Sequence, residues 1–437
     1  MDDQLVNPET DEQTGAPTRG TAWFVLFILT LVYTFNFIDR QILVILQEPI
    51  KVELNLSDAQ LGLLSGFSFA LVYVTAGIPI AWLADRGNRR NIIALSLAVW
   101  SGMTAISGLV SSYGQLVAAR LGVGLGEAGG SPPAHSLLSD YFPQDRRGTA
   151  LSFYSSGIYL GVLAGFAGGG YMAEVFGWRM AFFIVGVPGI VLALALPTLI
   201  KEPLRGRFDK GISTEKPTLG TTLSLLYEQR AFWWIAGGCA FTALISYGNG
   251  NFFPSYLMRS HNMSISEVGF ALAAVSGVAG AIGTFGGGML ADFLGKTERR
   301  WYIWVPILGN VTALPFMAYA IFSDRTEWIL YVLFPANILN SLYLGPSIAL
   351  CHTLVTPRMR AMTSAILFFV INMIGLGAGP LVVGLLSDAF ADLLGAQNLR
   401  AAMLIVLAFG FIVGNGCFVT ASKSLNRAAD TSDRRVV

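Results

Sequence analysis

Apolar runs of roughly twenty to twenty-five residues, almost free of charge, follow one another along the chain with short polar turns between them. Twelve are read, at 23–46, 61–83, 91–110, 115–138, 149–173, 181–200, 231–255, 268–290, 301–322, 330–352, 362–386 and 401–421. A run of this length crosses a bilayer as a helix. Only helices and closed barrels satisfy their backbone in lipid. The pattern therefore predicts an all-α polytopic membrane protein with twelve transmembrane helices. One polar stretch is long: residues 201–230 carry Pro203, Gly206, Gly211, Pro217, Gly220 and mixed charge, the composition of a linker. The expected organisation is a disordered tail 1–20, a six-helix bundle 21–200, the linker 201–230, a second six-helix bundle 231–422 and a tail 423–437.

The two bundles are copies. Ser57-Asp58-Ala59-Gln60-Leu61-Gly62 reappears as Ser264-Ile265-Ser266-Glu267-Val268-Gly269, and Leu83-Ala84-Asp85 reappears as Leu290-Ala291-Asp292, both 207 residues on. Each copy opens as a capping box, a Ser at the N-cap with Gln60 or Glu267 reaching back. Each closes on an Asp followed by arginines: Arg86, Arg89 and Arg90 in the first, Arg299 and Arg300 in the second. At an offset of 213, Pro133 and Arg147 match Pro346 and Arg360. A fixed-offset repeat in an apolar chain predicts two pseudo-symmetric membrane bundles. Spans five and eleven are glycine-rich, which suits close helix packing.

Composition narrows the function. Charged residues are 13% of the 437 and hydrophobic residues 54%. Soluble domains carry about 25% charge. The net charge of +1 gives no basic surface for nucleic acid. Cys239, Cys351 and Cys417 all lie in apolar runs, an odd number that makes neither a disulfide framework nor a metal site. His135, His261 and His352 are scattered, so no metal is expected. Residues 1–20 lack the basic and apolar segments of a cleaved leader. Gly124-Leu-Gly126-Glu-Ala-Gly129 matches a dinucleotide fingerprint but lies inside an apolar helix, where that fingerprint has no meaning. Outside the spans, every Lys and Arg falls on the side of the termini except Lys51, Arg179, Arg259, Arg325 and Arg400. That bias puts both termini in the cytoplasm of a cell-membrane protein.

Four charged residues sit well inside the spans: Asp39 and Arg40 in span one, Arg120 and Glu127 in span four. Each costs about 2.5–3.5 kcal/mol at a helix centre and so belongs to a wet cavity or a partner. Glu127, among Gly122, Gly124, Gly126, Gly129 and Gly130, is the first candidate proton carrier and Asp39 the second. Arg40 and Arg120 are candidates for holding an anion. The 213 offset places Asn249 opposite Asn36 and Asn340 opposite Glu127. Ionisable groups in the first half and neutral ones in the second suggest ion coupling in one and substrate holding in the other. Asn36, Tyr73, Asn249, Asn251, Asn340 and Phe369 complete the candidate substrate site. Gly248, Gly250 and Pro254 predict a bent or broken span seven. The aromatics Tyr33, Phe37, Phe67, Tyr73, Tyr154, Phe252, Phe253, Phe368 and Phe369 suit an amphiphile.

Six-plus-six spans, a central linker and the doubled Asp–Arg loop resemble the major facilitator superfamily. Leu83, Ala84, Asp85, Arg86, Arg89 and Arg90 fit its loop signature, with Ala81 in place of the first Gly; Gly288, Leu290, Ala291 and Asp292 fit in the second half. Within it, Asn36-Phe37-Ile38-Asp39-Arg40, the Arg120 to Ala128 stretch and Asp85 to Arg90 resemble the spinster-like branch, whose animal members are associated with lysophospholipid or sphingoid phosphate export. The resemblance implies the major facilitator fold and a monomeric, proton-coupled secondary transporter working by alternating access. It implies an amphiphilic anion as substrate, membrane lipid around it, and no cofactor beyond the proton. It also implies a cytoplasmic gate formed by Asp85, Arg86, Arg89, Arg90, Asp292, Arg299, Arg147 and Arg360. The alternatives are a proton symporter of sugar acids or small organic anions, a multidrug antiporter, and, furthest off, a membrane-embedded enzyme.

Overall fold

The computed structural model describes residues 18–208, 219–356 and 359–433. The expected disordered tail over 1–17, the middle of the linker at 209–218 and the end of the second tail at 434–437 lie outside the described residues. Every regular element among the described residues is a helix. In the first half α1 is Arg19–Leu54, α2 Asp58–Arg86, α3 Arg89–Ser107, α4 113–141, α5 144–176 and α6 178–199. In the second half α7 is Arg230–His261, α8 Ile265–Gly295, α9 Trp301–Phe322, α10 Thr326–Thr353, α11 360–389 and α12 Asn398–Asp433.

Local chemistry explains the boundaries. Ser57 Oγ accepts from Gln60 N at 3.2 Å while Ser57 N donates to the Gln60 side chain at 2.9 Å. Ser264 and Glu267 repeat this at 3.2 and 2.8 Å, so both duplicated helices open as capping boxes. Gly177 turns α5 into α6 at φ 80°, a conformation open to glycine and strained for other residues. Three ends differ from the expectation. The region 201–230 contains a helix, Leu219–Glu228. α1 extends to Leu54, and α12 runs through the expected tail to Asp433, because no Gly or Pro interrupts 421–433.

Of the two expectations for span seven, the break is not found. α7 is one unbroken helix through Gly248, Gly250 and Pro254. Gly248 is small because a Cβ there would meet Gly379 O of α11 at 3.0 Å, so it serves packing, not a break. The interruptions lie elsewhere: α4 unwinds at 128–130, α10 at 342–343, and wide π turns occupy Leu63–Phe67, Ala273–Ala279 and Asn372–Ala378 in α2, α8 and α11.

The halves touch mainly at the end away from the termini. Cβ atoms added at Gly62 and Gly384 would lie 2.3 Å from Pro380 O and 2.2 Å from Asp58 O, so α2 and α11 meet backbone to backbone. Gly170 of α5 and Gly269 of α8 meet likewise. Toward the termini, Ser68–Arg86 of α2 and Arg360–Ile371 of α11 form no packed interface, while α5 and Gly280–Gly295 of α8 keep side-chain contact where the rings of Tyr159 and Phe285 lie 6.0 Å apart. The halves are thus packed backbone to backbone at one end and more loosely toward the other.

Candidate functional site

The four membrane-buried charges meet on the inner face of the first half. Arg40 of α1 donates from Nε to Glu127 Oε2 of α4 at 2.7 Å, and the Glu127 side chain is fully buried. The chain unwinds directly after Glu127, at 128–130, before Pro132 and Pro133 start the next helix. Gly126 packs its Cα against the Trp100 backbone, which brings α4 close to α3 and carries Glu127 inward. The Arg40 guanidinium carbon lies 4.9 Å from the ring centres of Phe37, Phe69 and Tyr73, a cation–π box on three sides. Its two Nη atoms have no hydrogen-bond partner among the described residues. Tyr33 stacks on Tyr154 at 4.5 Å and extends the aromatic wall.

Asp39 is fully buried, and neither of its carboxylate oxygens has a hydrogen-bond partner among the described residues. Arg120 is its nearest counter-charge, but Arg120 Nη1 reaches the Asp39 backbone oxygen, at 3.5 Å, rather than the carboxylate. Arg120 and Glu127 share a face of α4, as their spacing requires, yet Glu127 is paired by the neighbouring helix. Asn36 lies beside the Glu127 carboxylate.

The candidates of the second half divide. Asn249 and Asn340 line one pocket of about 110 Å³ with Ser246, Ser276 and Asn337. Asn340 Nδ2 donates to Ser246 Oγ at 2.6 Å. Asn251 turns away to its own helix, donating to Tyr247 O at 2.7 Å. Phe252 is buried in the second half's core, Phe253 lines the pocket, and Phe369 is half exposed on α11.

Of the expected gate, none of the described ion pairs crosses between the halves at the terminal end. Arg89 is buried, donating to Asp140 at 2.5 Å and Glu202 at 2.7 Å, all within the first half. Arg90 bonds the carbonyls of Pro197 and Ile200. Arg86 stacks on Trp82, and Arg147 bonds the carbonyls of Ser139 and Phe142. Arg205 of the linker donates to the backbone oxygens of Ala84, Asp85 and Gly87. Asp292 accepts from Tyr302 at 2.7 Å, and Arg360 is exposed. The cluster that does join the halves was not singled out in the sequence. Arg259 of α7 forks onto Asp58 at 2.9 and 2.8 Å and donates to Glu48 at 2.8 Å. Lys51 and Ser387 add bonds to Asp58, each 2.6 Å. Asp388 of α11 caps α2, accepting from Asp58 N at 3.0 Å and Ala59 N at 2.8 Å. The available signal was Asp58 inside the capping box, with Arg259 and Asp388 at helix ends on the same side.

Residues 29–380 match the model of the Major Facilitator Superfamily. An MFS-type efflux pump of Mycolicibacterium smegmatis is 37% identical over 93% of this chain and 94% of its own length. A probable galactarate/D-glucarate transporter of Bacillus subtilis is 28% identical over 90% and 92%. A crystal structure of a bacterial homologue of the human lysosomal transporter spinster, inward-facing and unoccupied, superposes with a TM-score of 0.87 at 32% identity, covering 94% of this chain and 99% of that one. Twelve helices in two equivalent halves, with these matches across nearly the whole length, lead to one assignment: the chain belongs to the major facilitator superfamily of secondary transporters.

Proposed function

We propose that the chain is a proton-coupled, alternating-access transporter of an organic anion, with a lysolipid-like amphiphile as its substrate. One observation carries this reading. Arg40, still partly exposed, has two guanidinium nitrogens without a partner among the described residues, set against the rings of Phe37, Phe69 and Tyr73. A planar fork of donors suits carboxylate or phosphate, and the rings suit an apolar body. The excess of Lys and Arg on the terminal side puts the more loosely packed end in the cytoplasm.

Coupling follows from competition for Arg40. While Glu127 is ionised it holds Arg40 Nε at 2.7 Å. An arriving anion draws on the same guanidinium. A proton on Glu127 breaks the ion pair, turns the carboxyl into a neutral group that burial tolerates, and frees Arg40 for the anion. Loading the anion and protonating Glu127 therefore favour one another. Asp39, buried without a hydrogen-bonded partner, is the second proton site.

The test is uptake into proteoliposomes under an imposed pH gradient. Glu127→Gln is expected to abolish gradient-driven transport while counterflow persists. Arg40→Ala is expected to abolish both. Gradient-driven transport at wild-type rate in Glu127→Gln removes Glu127 from the mechanism. A second reading, a proton symporter of sugar acids, draws on the 28% identical B. subtilis relative. Lysophosphatidylglycerol and D-glucarate, offered in parallel, separate the two.

A further inference from the structure

The pocket in the second half is the pseudo-symmetric twin of the ionic site in the first. Adding 213 to Asn36, Arg40, Arg120 and Glu127 gives Asn249, Phe253, Leu333 and Asn340. All four line the 110 Å³ pocket. Where the first half fills this place with two guanidinium groups, the second has a ring and a short aliphatic chain, and the volume of the missing cations is left as a hollow. The two helix interruptions correspond as well, after Glu127 in α4 and just after Asn340 and Ser341 in α10.

The lining of the hollow is polar but uncharged. Ser246 and Asn249 come from α7, Ser276 from α8, and Asn337, Asn340 and Ser341 from α10. Asn249 is 3% exposed, its Nδ2 donates to Met403 O at 3.3 Å, and its Oδ1 has no partner. Gly250 borders the pocket, and a Cβ there would meet nothing within 4 Å, so the backbone stands open on this side. The next residue after Ser246 is Tyr247, which lies in the field of Arg40 and Tyr73 across the cavity.

We infer that this pocket is a hydroxyl-binding subsite: the anionic group of the substrate sits on Arg40 and a hydroxyl-bearing part of the same molecule sits among Ser246, Asn249, Ser276, Asn337 and Asn340. The inference rests on the anion reading of Arg40. Amides and hydroxyls both give and accept hydrogen bonds, as a hydroxyl does, and no lining residue carries charge to hold a second ion. Phe253, Leu272, Val275 and Leu333 take the carbon skeleton. Sugar acids and lysophospholipids with a glycerol unit both carry such hydroxyls.

The experiment measures affinity in nanodiscs for two matched pairs: D-glucarate against adipate, the same diacid without hydroxyls, and lysophosphatidylglycerol against hexadecyl phosphate. In one pair, the hydroxylated member is expected to bind about ten-fold tighter or more. Asn249→Leu and, separately, Ser276→Ala are expected to bring that pair toward parity while the unhydroxylated member keeps its affinity. Ser276→Ala removes a single hydroxyl and decides the matter if Asn249→Leu does not fold. Which pair responds identifies the source of the hydroxyls. Equal affinity within both pairs in the wild type, or a preference that survives both substitutions, overturns the subsite; so does binding of none of the four. Arg40→Ala that leaves the unhydroxylated members bound sinks the anion reading alone.

Discussion

At the scale of single residues, burial separates charges that the sequence presents alike. Arg89 and Arg299 occupy matching loops, yet Arg89 is 1% exposed and Arg299 is at the surface. Arg89 ties α3 to Asp140 of α4 and Glu202 beyond α6, and Gly206 N bonds the same Asp140, so Arg89 fastens the start of the linker to the first half. Removing one partner of a buried ionic cluster costs about 3–5 kcal/mol. Arg89→Ala is expected to lose that much stability, seen as a lowered unfolding temperature in detergent, while Arg299→Ala leaves the temperature unchanged. Equal temperatures for the two variants would show that Arg89 is no fastener. The four intramembrane charges were legible because an apolar run makes each conspicuous. Their pairing was not: Arg120 and Glu127 are seven residues apart on one face, but Glu127 pairs with Arg40 because the rotation of α1 against α4 decides the partner, and no spacing within one helix encodes it.

At the scale of elements, the duplicated capping boxes fixed two helix starts from sequence, since the bonds involved lie within four residues. Glycine was harder to read. In α7 it suggested a break, whereas its use is contact between backbones of different helices, a property of the partner as much as of the residue. The break in α4 carries its own local signal, Gly129-Gly130 followed by Pro132-Pro133. The α2–α11 contact gives the sharpest consequence. A side chain at Gly384 would meet Asp58 O at 2.2 Å and Ala59 Cα at 2.9 Å, both rigid backbone. Gly384→Leu is therefore expected to wedge this end apart. Spin labels across the outer ends of α2 and α11 should report a longer distance than in the wild type. An unchanged distance would mean that the helices slide past the added side chain, and that their backbones do not set the closure.

For the whole molecule, one end is fastened by ion pairs and caps that join the two halves. Asp388 of one half caps the helix that opens with Asp58 in the other, and Arg259 binds Asp58 and Glu48 together. At the opposite end Arg90 bonds carbonyls of its own half, Arg205 holds the backbone oxygen of Asp85, and Arg86, Arg299 and Arg360 are exposed. A transporter alternates only if the closed end reopens, so these bonds must be weak enough to break and strong enough to exclude the leak of an open pore. Hydrogen bonds to charged groups contribute about 1.5–3 kcal/mol each, and 1.4 kcal/mol is ten-fold in population. Arg259→Ala removes several at once and leaves Asp58 to Lys51 and Ser387. The state open at the Asp58–Arg259 end is then expected to gain about ten-fold or more in population. A cysteine placed at Phe253, behind the fastened end, reports it: in a cysteine-free background its labelling from outside sealed vesicles should speed up in Arg259→Ala by that factor. Asp388→Asn, which keeps the size of the cap and removes its charge, should give a smaller increase in the same direction. Labelling at the wild-type rate in both variants would mean that the backbone contacts of Gly62 and Gly384 hold this end shut by themselves, with the ionic cluster adding nothing to the gate.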